Sequence, residues 1–107
     1  MKIKNMEALL VIKNYSKYLL EANFQMDVIA LYKIRKNMQK VEIAYKPCGD
    51  ALNDIIQQKK TDEEKQKDID NLMNQEIEVD IEKIPVSVFD GIKASPAFVN
   101  LIFFMLE

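Results

Sequence analysis

Leu31, Ile34, Met38, Val41, Tyr45, Cys48, Leu52 and Ile55 follow one another at alternating steps of three and four residues. Such spacing keeps every member on one side of an α-helix, and it persists here for about three and a half heptads. Pro47 and Gly49 fall inside the run, and both residue types disfavour a helix interior. The phase of the seam is nevertheless unbroken across them, which a loop of arbitrary length has no reason to preserve. The spacing therefore predicts one long helix, kinked near Pro47, in preference to two helices joined by a turn. Interior proline costs about 3 kcal/mol, so packing of the seam must offset it.

The remaining segments are arranged around that helix. Residues 6–22 read as a helix with a single apolar stripe of Ala8, Val11, Ile12, Tyr15, Tyr18, Leu19 and Ala22. Asn5 is placed to cap its start and Asn23 to end it in a left-handed conformation. From Gln57 to Asp68 no hydrophobic residue occurs, which marks an exposed tip. Thr61 followed by Glu64 has the spacing of a capping box, so a third helix is expected to begin there, with Ile69, Leu72 and Met73 as its narrow apolar stripe.

The period then changes from helical to alternating. Ile77, Val79 and Ile81 alternate with Glu76, Glu78, Asp80 and Glu82, as in a half-buried strand over 76–82. A lone strand must pair, and Met1-Lys2-Ile3-Lys4 offers the matching alternation, with its lysines on the side of the acidic row. Pro85 ends the strand, and the turn after it is expected to bring Phe89 and Ile92 to the core. Ser95-Pro96 supplies an N-cap and a first-position proline for a last helix, Phe98 to Leu106, which is apolar nearly all round. The expected architecture is a mainly α (α+β) fold: a long-helix hairpin or coiled-coil-like helices, a small two-stranded sheet of 1–4 with 76–82, and a C-terminal apolar helix. At 107 residues it is read as one domain spanning 1–107.

Charge is distributed unevenly. Residues 1–46 carry nine Lys/Arg against four Asp/Glu, whereas residues 57–83 carry five Lys against nine Asp/Glu. Opposite ends of neighbouring subunits could attract one another on that basis. The single cysteine rules out an internal disulfide, and with no export signal it fits a reducing cytoplasm. No apolar run reaches the roughly 18 residues of a membrane-spanning helix.

Candidate chemistry is sparse. The chain has no histidine, so the commonest metal ligand and general base is missing. Carboxylates repeating along one strand face stand nearly 7 Å apart and do not wrap an ion, so the acidic row is read as a solvent face and no metal site is expected. Cys48 lies on the seam with no activating base and reads as a small core residue. The isolated glycines Gly49 and Gly91 make no phosphate loop. No cofactor and no catalytic residue is expected. Lys33, Lys36 and Lys40, with Tyr32 and Arg35 beside them, form the best candidate for an anion site on a helix face away from the seam.

Surplus apolar surface is the stronger lead. A long seam, a striped first helix and an all-round apolar last helix are much to bury in one small domain. Self-association is expected, with Leu31, Ile34, Met38, Val41, Tyr45, Phe98, Ile102, Phe103 and Met105 as interface residues.

The segment from Asn74 to Pro85, the Ser95-Pro96 step and the ending Phe104-Met105-Leu106-Glu107 carry a likeness to a known group. With Met1-Lys2-Ile3-Lys4 and Lys46-Pro47 they resemble small uncharacterised phage- and prophage-encoded proteins of Gram-positive bacteria. The resemblance implies a small accessory protein in an infected or lysogenic cytoplasm and transfers no catalytic residue. The expected function is thus non-enzymatic protein–protein interaction as a homo-oligomer, with a host or phage protein as a further partner and no membrane. Two alternatives stay open: a module binding nucleic acid, a nucleotide or another phosphate-bearing ligand on the basic helix face, and a structural or assembly subunit.

Overall fold

The computed structural model describes residues 1–22, 26–89 and 96–106. The chain order is a strand β1 (Lys2–Lys4), helix α1 (Asn5–Ala22), helix α2 (Val28–Gln57), helix α3 (Asp62–Met73), strand β2 (Glu76–Glu78), a 3-10 turn (Val86–Phe89), helix α4 (Pro96–Leu101) and a last 3-10 turn (Phe103–Met105). It is mainly helical with one small sheet, as the periodicities predict. The molecule is elongated, 53 × 23 × 16 Å, because the α2–α3 hairpin projects beyond the body.

The seam does form one helix. α2 runs thirty residues through Pro47 and Gly49 without interruption. Pro47 is on the solvent side, four residues after the exposed Ile43, whose carbonyl loses its helical donor to the proline ring. Water can satisfy that carbonyl, which is why the proline is tolerated here. Asp27 caps the helix start, its carboxylate accepting from the N–H groups of Ile29 and Ala30 at 3.2 and 3.3 Å. At the other end the Lys65 ammonium donates to the Ile56 carbonyl at 2.9 Å. Thr61 then caps α3, its hydroxyl accepting from the Glu64 N–H at 3.2 Å, as the capping-box spacing predicts.

The two strands pair antiparallel with Lys2 opposite Glu78, Ile3 opposite Ile77 and Lys4 opposite Glu76. Opposite charges thus line the outer face while Ile3 is buried. Backbone bonds extend the ladder at both ends, from Asn5 N–H to Gln75 and from Val79 N–H to Met1. β2 stops at Glu78, short of the expected 82, because its partner strand ends there. Beyond it the chain is held by other groups: Asn37 takes the Glu82 backbone, and the Ile84 N–H donates to the Met105 carbonyl at 2.8 Å.

Two further expectations are corrected. Asn5 is buried and does not cap α1; its amide donates to the Leu72 carbonyl at 2.9 Å, tying β1 to the end of α3. Glu7 serves the start of α1 instead, accepting from the Lys4 N–H at 3.3 Å. The last helix is not continuous over 98–106: α4 ends at Leu101 and the chain tightens into a 3-10 turn. That turn presents the Met105 carbonyl to Ile84 and the Phe104 carbonyl to the Lys83 ammonium, which a straight helix would not do. Asn23, Ile92, Ser95 and the side chains of Tyr18, Leu19, Ala22 and Phe98 lie outside the described residues.

The core has two parts. Tyr15, Met26, Ala30, Leu31, Ile34, Met38, Ile84, Ile102 and Met105 form the larger, with Phe89 packed at its margin, and Ile3, Ala8, Val41 and Val79 form the smaller beneath the sheet.

Candidate functional site

Leu31, Ile34, Met38, Val41, Ile102 and Met105, expected at an interface between copies, are instead buried within the chain. The reason is geometric. α1, the 79–84 segment and the C-terminal turns converge on the seam of α2 and cover it, leaving no face there for a second molecule. Tyr45 is half-buried beside Ile3 and Val79, and of the expected interface residues Phe103 alone among those described stands well out in solvent, 69% exposed.

Phe103 belongs to an apolar concavity on the surface. A groove of about 550 Å³ runs between the outer side of α1 and the C-terminal turns, lined chiefly by Leu10, Val11, Leu101, Phe103 and Phe104. Leu10 is 55% exposed on one wall. Asn14 turns its amide back to the Leu10 carbonyl at 2.8 Å and so leaves the wall hydrophobic. Glu7 and Asn100 supply polar ends. The arrangement can accept an apolar side chain or helix ridge, with Glu7 as the carboxylate at one end.

The candidate anion site is differently disposed. Lys33, Lys36 and Lys40 do share one face, but the acidic segment lies against them. Lys33 and Lys36 approach the Glu82 carboxylate at 3.8 and 3.9 Å. Lys40 donates to the Asp80 carbonyl at 2.9 Å and reaches the Asp80 carboxylate at 4.0 Å. The Lys36 ammonium also sits 5.3 Å from the centre of the Tyr32 ring. Internal pairing accounts for this cluster without a ligand. Arg35 is on another face, beside Tyr15, Met38, Gln39 and Glu42 around a smaller hollow of about 260 Å³. Burial pushes the Tyr15 phenol above its usual pKa, and the Arg35 guanidinium offsets part of that rise.

The other titratable candidates are also structural. Glu76, Glu78, Asp80 and Glu82 are exposed, and among the described residues no group of three or more His, Cys, Asp or Glu side chains is arranged to hold a metal. Cys48 is buried, its thiol donating to the Met73 sulfur at 3.9 Å, and burial raises its pKa. Among the described residues no helix is long and apolar enough to cross a membrane.

Sequence reasoning missed Leu10 and the exposed α2 residues Val28, Ile29 and Ile43 as surface features. The available signal was apolar residues standing off their helix's inward stripe, since a helix that buries one face should be polar on the other. Comparison of the chain with protein-family models, curated proteins and solved structures found no match in any of the three.

Proposed function

We propose that this chain is a non-enzymatic interaction protein of the phage-accessory type, acting in a cytoplasm as an oligomer that docks an apolar segment of another protein. The observation that carries this reading is the groove between Leu10 and Phe103, an apolar concavity with both of these side chains more than half exposed on its walls. Exposed contiguous apolar surface is costly to leave in water and commonly marks a binding site. A helix ridge presenting a leucine or phenylalanine matches its chemistry, because aromatic walls gain most from a desolvated apolar anchor.

Site-specific photocrosslinking in cells tests it. A benzophenone side chain in place of Leu10 should yield a discrete adduct that disappears when Phe103→Ser is added. The same probe in place of Glu63, on the charged hairpin, should yield none. Equal labelling from both positions, or an adduct indifferent to Phe103→Ser, would remove the groove from the function.

A further inference from the structure

Burial stops abruptly along α2. Ile34, Met38 and Val41 have almost no exposed surface, and Cys48 is the last buried residue of the helix. From Gly49 through the end of α2, all of α3 and on to Glu78, no residue is buried. The apolar side chains of this hairpin are at most half-buried: Leu52 and Ile55 on α2, and Ile69, Leu72 and Met73 on α3.

Its polar ties are equally open. Lys60 meets Asp68 at 3.1 Å with both side chains more than a third exposed, and the Lys65 ammonium donates to the Ile56 carbonyl at 2.9 Å on the surface. Water competes for such contacts, and salt screens the ion pair. Only at the base do buried groups take over. The Cys48 thiol donates to the Met73 sulfur at 3.9 Å. Asn5 donates from its amide to the Leu72 carbonyl and from its backbone to the Gln75 carbonyl, both at 2.9 Å.

The backbone of α2 is weakest at the same place. Pro47 has no N–H to give the Ile43 carbonyl, and Gly49 lacks the Cβ that favours helix over unfolded chain. These two residues flank Cys48, so the weakest turn of the helix coincides with the edge of the core. Beyond it, α2 continues only over residues 50–57, and α3 has twelve residues. Helices shorter than about 12–15 residues are marginal in water and draw their stability from packing.

We infer that residues 49–71 form a strap that opens as one unit while the body stays folded, with Pro47–Gly49 as its hinge and the Asn5 clamp at its other end. Segments with few buried apolar contacts and solvent-exposed backbone hydrogen bonds open at lower free energy than the core. Each opening uncovers the Leu52 and Ile55 end of the seam. The device is separate from the Leu10–Phe103 groove and does not depend on it.

Residue-resolved hydrogen exchange of the full chain under native conditions tests it. Amides of 50–57 and 66–71 should exchange at least about tenfold faster than those of 34–44 after correction for intrinsic rates. They should share one opening, whose dependence on low urea is shallow because little surface is exposed. Ile34→Val, in the buried core of the body, should speed exchange of the 34–44 amides by about threefold or more and leave the strap amides unchanged. Gly49→Ala should slow exchange of the strap by about two- to fivefold. Strap amides as protected as the body, or accelerated by Ile34→Val by the same factor, would overturn the inference by making the molecule one cooperative unit. Strap amides that exchange one by one, fastest at the tip and with no shared opening, would overturn it in favour of simple fraying.

Discussion

The carboxamide of Asn37, with no exposed surface, grips the backbone of Glu82 at two points. Its Nδ2 donates to the Glu82 carbonyl at 2.8 Å, and its Oδ1 accepts from the Glu82 N–H at 2.9 Å. The side chain thereby takes the place of a neighbouring strand for a segment that has outrun its own. Lys33, Lys36 and Lys40 then close over the same segment from the next turns of α2.

Asn37→Leu should destabilise the fold by about 2–4 kcal/mol, because it strands two backbone groups that the amide now satisfies in a buried setting. Urea unfolding measures it. A loss below about 1 kcal/mol would mean that water replaces the amide and that the grip is incidental.

The lysines around the grip should matter far less. Lys36→Ala removes an ion pair whose partners are both more than a third exposed, at a separation of 3.9 Å. Pairs of this kind contribute between zero and about 1 kcal/mol and are screened by salt. Thermal unfolding at low and high salt should show a small loss that shrinks as salt is added. A loss above about 2 kcal/mol would make the cluster a principal support of the 80–82 segment.

Gly49 offers a gain. It lies inside α2, and a Cβ built there would meet its nearest neighbour, the Tyr45 ring, at 3.5 Å, an ordinary contact. Gly49→Ala should therefore stabilise the protein by about 0.5–1 kcal/mol through reduced backbone freedom in the unfolded chain and better helix propensity. Denaturant midpoints decide the matter, and a decrease would show that the helix needs glycine at this turn.

The first three helices and the pairing of the two strands were legible in the sequence because each rests on a local pattern. Phase continuity across Pro47 identified α2, and the Lys/Glu alternation pointed to residues 1–4 as the partner of the acidic strand. The failures share a different cause. Whether Leu31 and Ile102 are buried by their own chain or by another depends on how helices are placed in space, which no spacing encodes. Asn37 reads on the sequence as one more polar residue of α2, and only the arrival of Glu82 from 45 positions away gives it a role. The partial neutralisation of Lys33, Lys36 and Lys40 by Asp80 and Glu82 is hidden for the same reason. Both groups of charges were visible in the sequence, and their meeting was not.

Three acids, two of them buried and Tyr45 half-buried, should make the fold sensitive to alkali. Burial is the largest cause holding Tyr15, Tyr45 and Cys48 above their ordinary values of 10.0, 10.0 and 9.0. Cys48 raises Tyr45 further, while Arg35 and Tyr45 respectively offset part of the rise at Tyr15 and Cys48. In each case the fold prefers the protonated form, so the folded state binds more protons than the unfolded chain between the unfolded and folded pKa values. The stabilising contribution is therefore complete below the unfolded pKa and is lost as pH rises through the folded one. Denaturant stability should be nearly flat from pH 7 to about pH 9 as far as these groups are concerned, then fall. Cys48→Ala should delay the onset of the fall. Reaction of Cys48 with a disulfide reagent should likewise be slow in the native protein at mildly alkaline pH and fast in urea. Rapid native labelling would show that the thiol is open to solvent and would break the link between its burial and the alkaline limit.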